Sequence, residues 1–160
     1  MTEKILIAYY SRTGNTRKIA DLIYKEVAGT VFEIIPKTPY PASYRETVDQ
    51  AKTEIRAGFK PVLVSTPDHL EQYDTVFIGT PNWWNTVAPP VVAFLTVFDF
   101  SGKTIIPFCT HGGGGLDNVA TDIAKYCPGS TILESLVIYG NGGSQAKAEV
   151  ADWLNRLGNA

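Results

Sequence analysis

Runs of apolar residues alternate with stretches of helical periodicity along almost the whole chain. Residues 5–9 (Ile-Leu-Ile-Ala-Tyr) are continuously apolar, the pattern of a strand buried on both faces. Beyond a polar loop, Ile19, Ala20, Leu22, Ile23 and Val27 recur at helical spacing, with Asn15 or Thr13 as the cap and Gly29 as the stop. Residues 30–35 predict a second strand halted by Pro36, and Pro39 and Pro41 make 37–44 a loop. A polar, amphipathic helix is predicted from Tyr44 to about Ala57, closed by Gly58, and 62–69 reads as a connector. A third strand spans 75–79, and Pro89 and Pro90 suit the first turn of a helix carrying Val91, Val92, Phe94 and Leu95. Residues 103–109 predict a fourth strand, 116–126 a helix and 131–139 a fifth strand. Ser144 is expected to cap a last helix, with Val150, Trp153, Leu154 and Leu157 on one face.

Five strands alternating with about five helices over 160 residues predict one domain, 1–160. Strand–helix–strand units in one domain impose parallel pairing and right-handed crossovers. The expected fold is therefore α/β, a three-layer α/β/α sandwich on a five-stranded parallel sheet. In such sheets ligands bind beyond the carboxyl ends of the strands, where strand order reverses. Three loops follow strand ends one, three and four: Ser11–Thr16, Thr80–Asn85 and Thr110–Gly115. All three are rich in Gly, Ser, Thr, Asn or Trp, and their convergence is the main functional signal of the chain.

Composition narrows the partners. Hydrophobic residues make up 44% and charged residues 19%, and no apolar run approaches the roughly 20 residues of a membrane span. The start, Met-Thr-Glu-Lys, lacks the basic and apolar stretches of a signal peptide, so a cytoplasmic protein without a membrane role is expected. A net charge of −2 offers no basic field for nucleic acid. Cys109 and Cys127 lack CxxC spacing and are expected to be buried, although Cys109 ends a strand near the candidate site, where a redox-sensing role is open.

The loop "SRTGNT" places hydroxyls of Ser11, Thr13 and Thr16 and the amide of Asn15 at a helix start, where free N–H groups favour an anion. Gly14 permits close backbone approach, and Arg12, Arg17 and Lys18 cluster beside it. An ordinary capped turn is the rival reading of the loop taken alone. The Walker pattern and the GxGxxG fingerprint are absent, as is an acidic cluster at the strand ends. "HGGG" at 111–114 imitates an esterase oxyanion loop, yet no GxSxG elbow exists and no histidine follows His111, which excludes a hydrolase triad. Trp83 and Trp84 adjoin in a loop where the core can absorb one of them, and paired aromatics there suit the face and edge of a flat ring system.

Together the motifs "SRTGNT", "TPNWWNTVAPPVVAFL" and "FCTHGGGG" resemble the flavodoxin family, in order and over essentially the whole chain, particularly a subfamily with a Pro-x-Trp-Trp second loop. The resemblance implies strand order 2-1-3-4-5, with FMN at the switch point. It implies that Ser11, Arg12, Thr13, Gly14, Asn15 and Thr16 surround the phosphate. Pro81, Asn82, Trp83, Trp84 and Asn85 would line one side of the isoalloxazine, with Trp84 the favoured stacking partner. Thr110, His111, Gly112 and Gly113 would line its other edge. Asn85 stands where the family has Gly, at a backbone position that favours positive φ, and Asn tolerates that conformation. His111 replaces the family's Ser and would either hydrogen-bond the pyrimidine edge or face solvent.

The resemblance implies an electron-transfer protein, serving a redox partner protein as a monomer or weak dimer. The alternative is an NAD(P)H-dependent quinone or flavin reductase. The near-neutral charge departs from the acidic surface of carrier flavodoxins and weakens steering toward a basic reductase. No general acid, base or nucleophile constellation is visible.

Overall fold

The computed structural model describes residues 4–158, which contain the predicted domain except for its termini; the Met-Thr-Glu start lies outside the described residues. The central strands are β1 (Ile5–Tyr9), β2 (Thr30–Glu33), β3 (Thr75–Trp83) and β5 (Thr104–His111). The short strands β4 (Thr86–Val87), β6 (Thr131–Ile132) and β7 (Leu136–Tyr139) complete the sheet. Five helices cover it: α1 (Asn15–Val27), α2 (Tyr44–Ala57), α3 (Pro89–Val97), α4 (Val119–Tyr126) and α5 (Ala146–Gly158).

The parallel order is β2-β1-β3-β5-β6, with β7 also pairing β5. This is the expected 2-1-3-4-5 arrangement once β6 and β7 are taken as the two halves of the fifth strand. The fifth strand is broken at 133–135, where the Glu134 carbonyl turns aside to accept the Trp153 indole N–H at 2.9 Å. Trp153 is fully buried, so this bond satisfies a donor that would otherwise be stranded.

Alternate residues of β1 feed two cores. Leu6 and Ala8 face one layer with Phe94, Leu95, Val119 and Ile123; Ile7 and Tyr9 face the other with Ile19, Ile23, Val150 and Trp153. Both faces are thereby sealed, and binding is left to the strand ends.

Several boundaries differ from expectation: β2 ends at Glu33, β5 runs on to His111 and α4 begins at Val119. The third strand runs four residues past Gly79 and folds back antiparallel as β4, with Asn82 opposite Val87 and Trp83 opposite Thr86. Trp84 and Asn85 form a two-residue turn with φ of 53° and 70°, left-handed at both positions, the geometry that matches hairpin twist. The cap of α1 is Gly14, at φ 103°, in place of Asn15 or Thr13. Ser144 sits inside a short 3₁₀ turn (Gly143–Gln145) ahead of α5 and caps nothing.

Candidate functional site

The switch point lies between β1 and β3, whose neighbours run to opposite sides of the sheet. The chain leaving β1 there enters the loop 11–14. The Ser11 hydroxyl accepts the Gly14 N–H at 3.0 Å, closing a tight turn that aims α1 at the cleft. With glycine at the cap no side chain satisfies the first N–H groups of α1, and they remain available to an anion. Thr16 is buried, and its hydroxyl meets that of Thr110 at 2.8 Å, tying the first loop to the end of β5.

The three nearby cations have separate fates. Arg17, in the first turn of α1, pairs with Glu33 at the end of β2, and the Lys18 ammonium donates to the Gly143 carbonyl. Arg12 crosses to the 37–42 loop, where Nη2 donates to the carbonyls of Pro41 at 3.1 Å and Ala42 at 2.9 Å. Its Nε–H is buried with no hydrogen-bond partner among the described residues.

The hairpin at the end of β3 is locked to the third loop. Asn82 Nδ2 donates to the Gly115 carbonyl at 2.8 Å, the Asn118 N–H donates to the Asn85 carbonyl at 3.2 Å, and the Thr86 hydroxyl donates to the Asp122 carboxylate. The two tryptophans diverge, because Trp83 ends β3 and Trp84 enters the left-handed turn. Trp83 packs edge-on against Tyr10 (5.5 Å between centroids) and Tyr40 (4.9 Å), facing the switch point. Trp84 turns to α2: its indole N–H donates to the Val48 carbonyl at 2.8 Å, and Lys52 Nζ lies 5.1 Å from its ring centre.

In the third loop the Gly113 N–H donates to His111 Nδ1 at 3.0 Å. An accepting Nδ1 leaves the neutral ring's proton on Nε2. The ring stands edge-on to Tyr139, 5.6 Å between centroids. Cys109 lies within β5, buried, and loss of solvation pushes its thiol up to about 12, so it holds no thiolate near neutral pH.

These parts enclose a cleft of about 310 Å³. Of the residues picked out from the sequence, Ser11, Arg12, Thr13, Asn15, Thr16, Pro81, Asn82, Trp83, Thr110, His111 and Gly112 line it. Gly14 shapes the turn below it. Trp84 and Asn85 form the hairpin tip, and Gly113 braces His111. Tyr44, Tyr139 and Gly140 also line the cleft. Tyr139 ends a strand that pairs with β5, so the strand-end rule applied to the first, third and fourth strands would have reached it. Tyr44 opens α2 and carries no local signal.

The sequence profile described as Flavodoxin matches residues 4–157. The chain belongs to the flavodoxin family. A flavoprotein from Bacteroides uniformis is 31% identical, with a TM-score of 0.85, over 97% of this chain and 99% of that one. One from Bacteroides eggerthii is 28% identical with the same TM-score, over 98% and 99%. A Lactobacillus acidophilus flavoprotein solved in complex with FMN is 22% identical with a TM-score of 0.73, over 96% and 99%, a likeness of fold. Among proteins of curated function, none matches. No helix among the described residues is long and apolar enough to cross a membrane.

Proposed function

We propose that this flavodoxin binds FMN non-covalently and passes electrons through it. One observation carries the reading: a single cleft joins an uncapped helix start and its hydroxyl loop to an aromatic wall, at the switch point of a parallel sheet. The donors at one end fit a phosphate ester, and the rings at the other fit a flat heterocycle. The first N–H groups of α1, with Ser11, Thr13, Asn15 and Thr16, would hold the phosphate. Trp83 with Pro81 and Asn82 would face the ring from one side, and Thr110, His111 and Gly112 from the other. The FMN-bound Lactobacillus relative supports this cofactor. Bound FMN supplies the redox chemistry, while the chain anchors it, sheds water and fixes the hydrogen bonds at its edge. His111, whose Nδ1 accepts from the Gly113 N–H, presents its Nε2–H there.

We favour a carrier of electrons between protein partners in the cytoplasm. The chain has no nicotinamide fingerprint, and exposed aromatic side chains, Tyr44 and Tyr139, ring the cleft mouth for a partner to cover. An NAD(P)H-dependent quinone or flavin reductase is the second reading, favoured by a further cleft that adjoins the first, with Arg12, Tyr44, Asn82 and Trp83 lining both. Stopped-flow mixing of the FMN-loaded protein with NADPH separates them. A carrier stays oxidised until a reductase protein is added; prompt direct reduction overturns the carrier.

A further inference from the structure

Thr16 and Thr110 stand 94 positions apart and share one buried hydrogen bond of 2.8 Å between their hydroxyls. Thr16 is the second residue of α1, and Thr110 is the last but one of β5. Both line the cofactor cleft, yet they are only 2% and 4% exposed. Each hydroxyl carries one proton, and a single O–H···O bond engages only one of the two. Neither side chain has another hydrogen-bond partner among the described residues. One buried O–H is therefore left without an acceptor at the cleft wall.

The two partners are not equally free. At Thr110 the sheet is paired on both sides, with Pro81 of β3 and Ile138 of β7, so the backbone there is fixed. A threonine in a helix divides between two χ1 rotamers. The bond to Thr110 holds Thr16 in the one that keeps its oxygen against β5. Gly14 caps α1 without a side chain, which makes Thr16 the buried hydroxyl of the first turn. Its position is set by a strand far away in sequence.

We propose that Thr110 is a positioning residue for the phosphate end of the site: it donates to Thr16 Oγ1 and so commits the Thr16 proton to a phosphate oxygen. A dianionic phosphate ester offers acceptors only, which fixes the direction of the relay from Thr110 through Thr16 to the ligand. A hydroxyl that accepts a hydrogen bond is polarised into a better donor, and a bond to an anion is the stronger kind. The Thr110 side chain thus serves the anchor, while His111 and Gly112 continue along the cleft wall. Preference for FMN over riboflavin is set in part from the third loop. The inference rests on the FMN reading for the owner of the phosphate alone, because the hydroxyl pair belongs to the protein itself.

The test compares FMN, riboflavin and inorganic phosphate on wild type, Thr110→Val, Thr110→Ser and Thr16→Val. Flavins are titrated by fluorescence, and phosphate is titrated into flavin-free protein through the Asn15 and Thr16 amide resonances. Thr110→Val should weaken FMN and inorganic phosphate by about fivefold or more, and riboflavin by less than about twofold. Thr110→Ala should give the same pattern, and it replaces Thr110→Val should the valine variant not fold. Thr110→Ser, which keeps the hydroxyl, should return FMN affinity to within about twofold of wild type. In the Thr16→Val background, Thr110→Val should cost FMN less than about twofold further, since the relay is already cut. Equal losses of FMN and riboflavin, unchanged FMN affinity, no rescue by serine, or the full loss repeated in the Thr16→Val background each overturns the proposal. If wild type binds no FMN, the cofactor reading falls and the phosphate titration still decides. A loss of about fivefold in Thr110→Val then upholds the positioning role; equal phosphate binding, or none to wild type, overturns it.

Discussion

Gly79 sits in the middle of the sheet, paired with Tyr9 on one side and Phe108 on the other, two residues before the chain enters the cleft wall at Pro81–Trp83. A Cβ at this position would lie 2.2 Å from Phe108 Cζ, 2.3 Å from its Cε2 and 2.9 Å from Tyr9 Cβ. Comfortable carbon contacts are about 3.5–4.0 Å, so the ring would have to retreat by more than an ångström. Phe108 is fully buried, packed in one core layer with Tyr9, Phe77 and Ile138, and has nowhere to go. Overpacking costs about 1–3 kcal/mol and occasionally more. Because three central strands resist here, Gly79→Ala is expected at the upper end, about 3 kcal/mol, or about 6–12 °C in Tm for a domain of this size.

Urea unfolding of the flavin-free protein reads the change as a shifted midpoint at unchanged slope. Phe108→Leu removes the two clashing ring atoms. In that background Gly79→Ala should cost less than about 1 kcal/mol, giving a coupling energy of about 2 kcal/mol. A loss within about 0.5 kcal/mol for Gly79→Ala, or an equal loss in both backgrounds, refutes the steric argument.

Trp83→Ala should weaken FMN binding by about 1–3 kcal/mol, a loss of about five- to 150-fold by fluorescence titration, whereas Trp84→Ala, removing a ring turned toward α2, should change it less than threefold; the reverse ranking would reject the assignment of Trp83 to the cofactor wall. Replacing both Thr13 and Thr16 with Val should lower FMN affinity by about 1–3 kcal/mol and leave riboflavin, which lacks the phosphate, nearly unaffected. An equal loss for both ligands would make the loop purely structural. Cys109, pushed up to about 12 from an ordinary 9.0, keeps its proton in the folded state, so its contribution to stability is present below pH 9 and is lost as pH rises above it. Unfolding midpoints measured from pH 8 to 10 should therefore fall more in wild type than in Cys109→Ala, and the native thiols should resist iodoacetamide at pH 8; parallel pH curves or rapid native labelling would contradict this.

The readable parts of this protein share a local cause. Strands buried on both faces are continuous apolar runs, so β1 and most of β3 and β5 stood out, and their alternation with helical periods implied the parallel sheet. The loops after strands one, three and four carry groups unsuited to a core. The hairpin was not legible, since it places Trp84 at positive φ, against local preference, and is held by partners far away in sequence: Val48, Gly115, Asn118 and Asp122. Nor was the divergence of the two tryptophans. The sequence favours Trp84 as the stacking partner, whereas Trp83 is the one of the pair that lines the switch-point cleft, because β3 ends at Trp83 and Trp84, at φ 53° in the hairpin turn, is carried toward α2.

The sequence by itself determined the order of elements, the layer architecture and the three chemical loops, because hydrophobic period, glycine and proline act over a few residues. Tertiary structure alone decided which side chains share the cleft. Arg12 reaching Pro41 and Ala42, Thr16 meeting Thr110, and Tyr44 and Tyr139 at the rim all join residues distant along the chain. Such pairings follow from strand order and register, which bring together groups that no local pattern relates.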